Sequence, residues 1–115
     1  MRKTVPLKKN WEFSRVYKKG HFCAGRYLVI YILKNSYNIN RLGISASKKA
    51  GNSVKRNRLR RLVRESYRDR EETIKKGFDI VFLIRKNEKL PGYSDIKKEM
   101  EYLFKKTGAL EEKND

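Results

Sequence analysis

From Lys48 to Arg68 the chain reads KKAGNSVKRNRLRRLVRESYR, with nine Lys or Arg and one acid, Glu65. The chemistry open to such residues is anion capture: a guanidinium fork donates two hydrogen bonds to one phosphate and does not lose its charge. At about 100° per residue on a helix, Asn57, Arg61, Arg64 and Arg68 share one side, flanked by Arg58 and Arg60. Leu59, Leu62, Val63 and Tyr67 share the other. Like charges at i and i+4 oppose an isolated helix by a few tenths of a kcal/mol per pair, roughly, so the stripe makes sense facing a polyanion. Asn52 or Ser53 caps this helix, its free backbone N–H groups add donors, and KKAGN places a basic loop in front of it. Each phosphate neutralised releases counterions, so binding should weaken steeply with salt.

Protein catalysis would need a nucleophile with its base, two convergent carboxylates or a metal cluster. The chain has one histidine, His21, and one cysteine, Cys23, with no GxxxxGK loop and no HExxH. Neither an internal disulfide nor a Cys/His metal site can be assembled from them, and Cys23 reads as a small, half-buried apolar residue. Asp79 reads as a strand-start residue and Glu65 as an ion-pair partner among the arginines. No catalytic residue and no metal ligand of the protein's own are expected.

The elements that must position the stripe fit one domain, residues 1–115. Thirty Lys and Arg against thirteen Asp and Glu give a net charge of +17, far more than solubility asks. Residues 1–26 hold eight bases and one acid, residues 41–70 eleven and two, and the chain from 71 onward ten of each. The excess therefore marks one basic surface. No apolar run is long enough to span a bilayer and no apolar segment follows Met1 as in a signal peptide, which leads to a cytoplasmic expectation with no membrane partner.

Residues 1–9 read as a basic arm. A helix is expected from an Asn10 cap to Gly20, with Phe13, Val16 and Tyr17 on one face. RYLVIYILK (26–34) and Arg41–Ser47 read as strands. Paired as a hairpin, they would offer an apolar face and a shallow open face where small polar groups lie beside Tyr31. Gly77 is placed as the stop after the basic helix, and DIVFLIR (79–85) as a strand buried on both faces. Ser94 and Asp95 start a last helix with Ile96, Met100, Leu103 and Phe104 inward, ended by Gly108. Residues 107–115 read as a frayed tail. The class is α+β.

No helix-turn-helix, zinc or zipper scaffold for the DNA major groove is legible. Phe13, Tyr17 and Tyr31 beside a basic surface suit unpaired bases, which stack on rings for about 1–3 kcal/mol each. Structured RNA with a single-stranded segment is the partner these residues favour.

SASKKAGNSVKRNRLRRLVRE, Ser45 to Glu65, resembles the signature of the bacterial ribonuclease P protein subunit, whose RNR core stands here as Arg56, Asn57 and Arg58. LKKNWEFSRVYKKG resembles the family's first helix and YLVIYIL its following strand. The resemblance implies the order α-β-β-β-α-β-α, a mixed four-stranded sheet with a short extra strand around Gly20 to Cys23, and a left-handed βαβ crossover through the RNR helix. It further implies a protein that assists a catalytic ribonuclease P RNA, which uses Mg²⁺ held mainly by that RNA, in removing the 5′ leader of precursor tRNA. By position, Lys48, Lys49, Asn52, Lys55, Arg56, Asn57, Arg58, Arg60, Arg61, Arg64 and Arg68 match the RNA contacts of the RNR region. Phe13, Tyr17, Tyr31, Ser45 and Ser47 match the leader cleft, Tyr17 standing where phenylalanine is common. No obligate protein partner is implied. The alternative is a non-enzymatic RNA-binding module such as a ribosomal protein, which shares charge and size.

Overall fold

The computed structural model describes residues 3–111. Its elements are β1 (Thr4–Pro6), α1 (Asn10–Lys19), β2 (His21–Ala24), β3 (Leu28–Lys34), β4 (Asn40–Ala46), α2 (Ser53–Arg70), β5 (Phe78–Ile84) and α3 (Tyr93–Thr107). The strands form one sheet in the order β1-β4-β5-β3-β2. β3 runs antiparallel to β5 and β2, and β4 runs parallel to β5 and β1. β4 and β5 are joined through α2, the βαβ unit that the resemblance implies.

Burial explains the strand order. FDIVFLI in β5 is apolar on both faces, so it is stabilised most at the centre of the sheet, where both faces are covered. There it separates β3 from β4, and the expected hairpin between those strands does not form. The short loop between them brings their ends together without pairing them. Even-numbered β5 residues Ile80, Phe82 and Ile84 join Leu28, Ile30, Ile32 and Leu42 beneath α2 and α3. Val81, on the opposite face, packs with Leu7 and Val16 under α1, beside Phe13, Tyr31 and Leu33. The result is three layers, with α1 on one face of the sheet and α2 with α3 on the other.

Among the described residues the sheet has five strands, not four. Residues 4–6 of the expected arm pair in parallel with Asn40–Leu42, and the buried Thr4 hydroxyl lies 2.8 Å from that of Tyr67 in α2. Three residues are too few to show a period, so this edge strand leaves no sequence pattern. The expected tail is also anchored as far as residue 111. Gly108 ends α3 at φ 72, in the left-handed region that favours glycine. Ala109 is buried, Leu110 bridges Ile74, and Glu111 N–H donates to Thr73 O at 2.8 Å. Residues 1–2 of the arm and 112–115 of the tail lie outside the described residues.

Two boundaries differ from expectation. The cap of α1 is Lys9, because Glu12 reaches back to accept from Lys9 N–H (2.8 Å) and Lys8 N–H (3.0 Å), leaving no role for an Asn10 side chain. Gly77 does not stop α2, which ends at Arg70 and runs into a 3-10 turn over Glu71–Thr73. Gly77 instead makes the turn into β5 at φ 95. Across the molecule, Glu99 of α3 accepts from the backbone N–H groups of Arg26, Tyr27 and Leu28 at 2.7–2.9 Å, its nearer oxygen in each case.

Candidate nucleic-acid interface

The basic helix begins as its sequence dictates. Ser47 Oγ accepts from Lys49 N–H at 3.2 Å, bending the chain into a 3-10 turn over Lys48–Ala50. Gly51 follows at φ 135, and Asn52 Oδ1 accepts from Lys55 N–H at 3.0 Å to cap α2. Leu59, Val63, Ser66 and Tyr67 are buried on its inner side. Lys48, Lys49, Asn52, Lys55, Asn57, Arg58, Arg61, Arg64 and Arg68 are exposed on or before it, while Arg56 and Arg60 are half-buried.

Local contacts on the stripe are weak. Arg60 donates to Asn57 Oδ1 at 3.1 Å, and Arg56 reaches Ser53 Oγ at 3.4 Å. Among the described residues no ion pair involves Arg56, Arg58, Arg60, Arg61, Arg64 or Arg68, and Glu65 is exposed without one. Glu65 is therefore not the internal neutraliser that its position suggested. The guanidinium groups remain uncommitted, the state in which they can bind phosphate.

The second part of the interface lies between α1 and the sheet. Phe13 rests directly over Gly43, where an added Cβ would collide with the ring; a side chain there would push the Phe13 ring from its place. Tyr17 and Tyr31 meet edge to face with centroids 4.8 Å apart, and Phe22 of β2 lies 6.0 Å from Tyr31. Phe13, Tyr17, Ser45 and Arg60 help line a shallow cleft of about 380 Å³. Burial pushes the Tyr17 phenol up from its ordinary pKa, partly offset by the nearby Ser45 hydroxyl. It stays a neutral donor at physiological pH.

The residues assigned to the leader cleft thus do not all converge. Phe13, Tyr17 and Ser45 line it and Tyr31 supports it through Tyr17, but Ser47 spends its hydroxyl on the turn that launches the basic loop. Arg60, grouped by sequence with the outer stripe, forms a cleft wall, one helical turn from Arg56. Phe22, 69% exposed, extends the aromatic surface and was missed. β2 has four residues, too few to show a period, so only its register opposite Tyr31 exposes the relationship.

What fixes α1 in place was also missed. Arg41 donates to Asp79 through Nε and Nη2, both at 2.7 Å, and to Glu12 Oε2 through Nη1 at 2.9 Å. Asn35 Nδ2 adds a bond to Asp79 at 2.9 Å. Burial pushes the Asp79 carboxyl up, but the hydrogen bonds from Arg41 and Asn35 and the charge of Arg41 outweigh it, leaving it below the ordinary carboxylate range. Glu12 is lowered by the two backbone N–H groups it caps. Asp79 is therefore a buried tether, not just a strand-start residue, and the signal was positional: Arg41 and Asp79 open neighbouring strands in register.

The far end of α2 is unsuited to a polyanion. A larger hollow of about 910 Å³ between the end of α2 and α3 mixes Asp69, Glu72 and Glu101 with Lys75, Lys97 and Lys105. Among the described residues no group of three or more His, Cys, Asp or Glu converges as a metal site, and no helix is long and apolar enough to cross a membrane.

Comparison with known proteins points one way. The family model described as Ribonuclease P matches residues 1–108. A ribonuclease P protein component of Clostridium botulinum is 50% identical over 103 residues, covering 89% of this chain and 93% of that protein. One from Clostridioides difficile is 49% identical over 106 residues, covering 91% and 93%. Among solved structures, the RNase P protein of Staphylococcus aureus superposes with a TM-score of 0.84 at 36% identity, over 93% of this chain and 98% of that one. The Thermotoga maritima RNase P protein gives 0.78 at 32% identity, over 88% and 96%.

Proposed function

This chain belongs to the bacterial ribonuclease P protein family, and we propose a division of labour within its surface. The chain is the protein subunit of a ribonucleoprotein endoribonuclease that acts in tRNA processing, and it works with the RNA subunit. Its exposed α2 stripe, with Lys48, Lys49 and Lys55, binds phosphates of the catalytic RNA. The cleft between α1 and β4 holds the single-stranded 5′ leader of precursor tRNA, with the rings of Phe13 and Tyr17, the latter backed by Tyr31, stacking on bases and Ser45 and Arg60 meeting polar edges or phosphate.

The observation that carries this reading is adjacency. Arg60 belongs to α2 yet lines the aromatic cleft, so a strand leaving the RNA bound on α2 meets the rings at once. Mg²⁺ is held mainly by the RNA, and the protein contributes charge neutralisation and positioning, with no step routed through its own side chains. The setting is the cytoplasm, where precursor tRNA is made.

Adding the chain to a bacterial ribonuclease P RNA should promote leader removal at low Mg²⁺; no stimulation would favour a non-enzymatic RNA-binding role. Tyr31→Ala, which removes the ring that holds Tyr17 in place, should weaken leader-bearing precursor tRNA by up to about 1–3 kcal/mol, one stacked base, and leave mature tRNA unaffected. Equal loss for both would remove the leader from the cleft.

A further inference from the structure

α1 has a second flank. At the end of β4 opposite the cleft, Trp11, Tyr37, Val5, Lys8, Lys9 and Arg41 line a hollow of about 560 Å³. Trp11 is 59% and Tyr37 55% exposed, so the chain leaves its single tryptophan and a second ring largely in water. Neither is needed for the core.

The electrostatics of the hollow are one-sided. Among the described residues Glu12 is its only acid, and that carboxylate is already bound by Lys8 N–H, Lys9 N–H and Arg41. Arg41 is fixed by Asp79 and Glu12 with its guanidinium carbon 5.0 Å from the Tyr37 ring centroid. Lys8 and Lys9 are exposed and make no ion pair among the described residues. Two open rings beside two free ammonium groups form a stacking platform with phosphate anchors.

We propose that this hollow binds an unpaired nucleotide of the leader, upstream of those held in the aromatic cleft. The inference rests on the cleft assignment above. Arg41 and Ser45 lie on the same face of β4, four residues or about 13 Å apart, so cleft and hollow are two stations on one track along α1. Arg60 places the cleft end of that track beside the RNA-binding helix, where the strand enters. The Trp11 end is where its 5′ portion leaves. The hollow faces away from the α2 stripe, which favours the leader over the catalytic RNA, and its positive charge and small apolar area favour a nucleotide over an apolar peptide.

The test uses holoenzyme reconstituted with a bacterial ribonuclease P RNA and three ligands: mature tRNA, a precursor whose leader ends within the cleft, and one whose leader extends past it. Trp11→Ala should remove an affinity gain of roughly 5- to 100-fold specific to the extended leader, and Trp11→Phe should restore most of it. Because Trp11 is the only tryptophan, its emission should be quenched by the extended leader and not by the short one. No difference between leader lengths, equal loss on all three ligands, or quenching by the catalytic RNA before substrate is added would each overturn the proposal. The gain of the short leader over mature tRNA, and its dependence on Tyr31, reports separately on the cleft.

Discussion

Arg41 and Arg61 carry the same group and do opposite things. Arg41 sits under α1 with a side chain 14% exposed, bound to carboxylates of Asp79 and Glu12. Arg61 projects from α2 with no carboxylate partner among the described residues. A charge satisfied internally holds the fold together and has little left to offer a ligand; one left uncommitted adds little to the fold and keeps its hydrogen bonds for phosphate. The basic surface is therefore two populations, separable by what each costs the fold when removed.

The largest effect should come from the tether. Asp79→Ala leaves the Arg41 guanidinium buried and short of a partner, and should cost about 3–5 kcal/mol in denaturant unfolding; a loss below about 1 kcal/mol would make the tether ornamental. Acid should act through the same contacts. Because Asp79 and Glu12 are held below their ordinary values, their contribution is fully present above the unfolded carboxylate range and lost as pH falls through the folded one. Unfolding midpoints should stay level from about pH 7 to 5 and drop below about pH 4, with a shallower drop in Asp79→Asn.

A smaller effect belongs to the seam between β1 and α2. Burial pushes the Tyr67 phenol up to about 12, so it remains a donor or acceptor for Thr4 at any working pH. Tyr67→Phe should cost about 1 kcal/mol, measured by thermal unfolding. Smallest for the fold is the outer stripe: Arg61→Ala with Arg64→Ala should alter stability by less than about 0.5 kcal/mol. The same pair should lower the slope of log affinity for catalytic RNA against log salt by roughly 1.5. A collapse of circular dichroism in that variant would erase the distinction between the two populations.

Sequence reading found the outer population more easily than the inner. The stripe is local, with its period written into consecutive residues of one helix, and so are the apolar face of α3 and the continuous apolar run of β5. The tether joins residues 12, 41 and 79 from three elements, and no window along the chain contains it. The five-strand order was hidden for a related reason: insertion of β5 between β3 and β4 depends on comparing burial across the whole sheet. β1 is too short to carry a period, and Arg60 moved from stripe to cleft because a helix's neighbours, not its own rotation, decide which residues meet a second surface. The family resemblance supplied the extra strand β2 that periodicity did not.

Glu99 has a consequence for where RNA does not go. Three consecutive backbone N–H groups, from Arg26 to Leu28, converge on its carboxylate, and such a concavity would otherwise accept a phosphate oxygen. By filling it from within, α3 closes a decoy address at the same end of the sheet as Ser47, on a molecule whose net charge of +17 draws polyanions from every direction. Selectivity here owes something to a door the protein keeps shut with its own side chain.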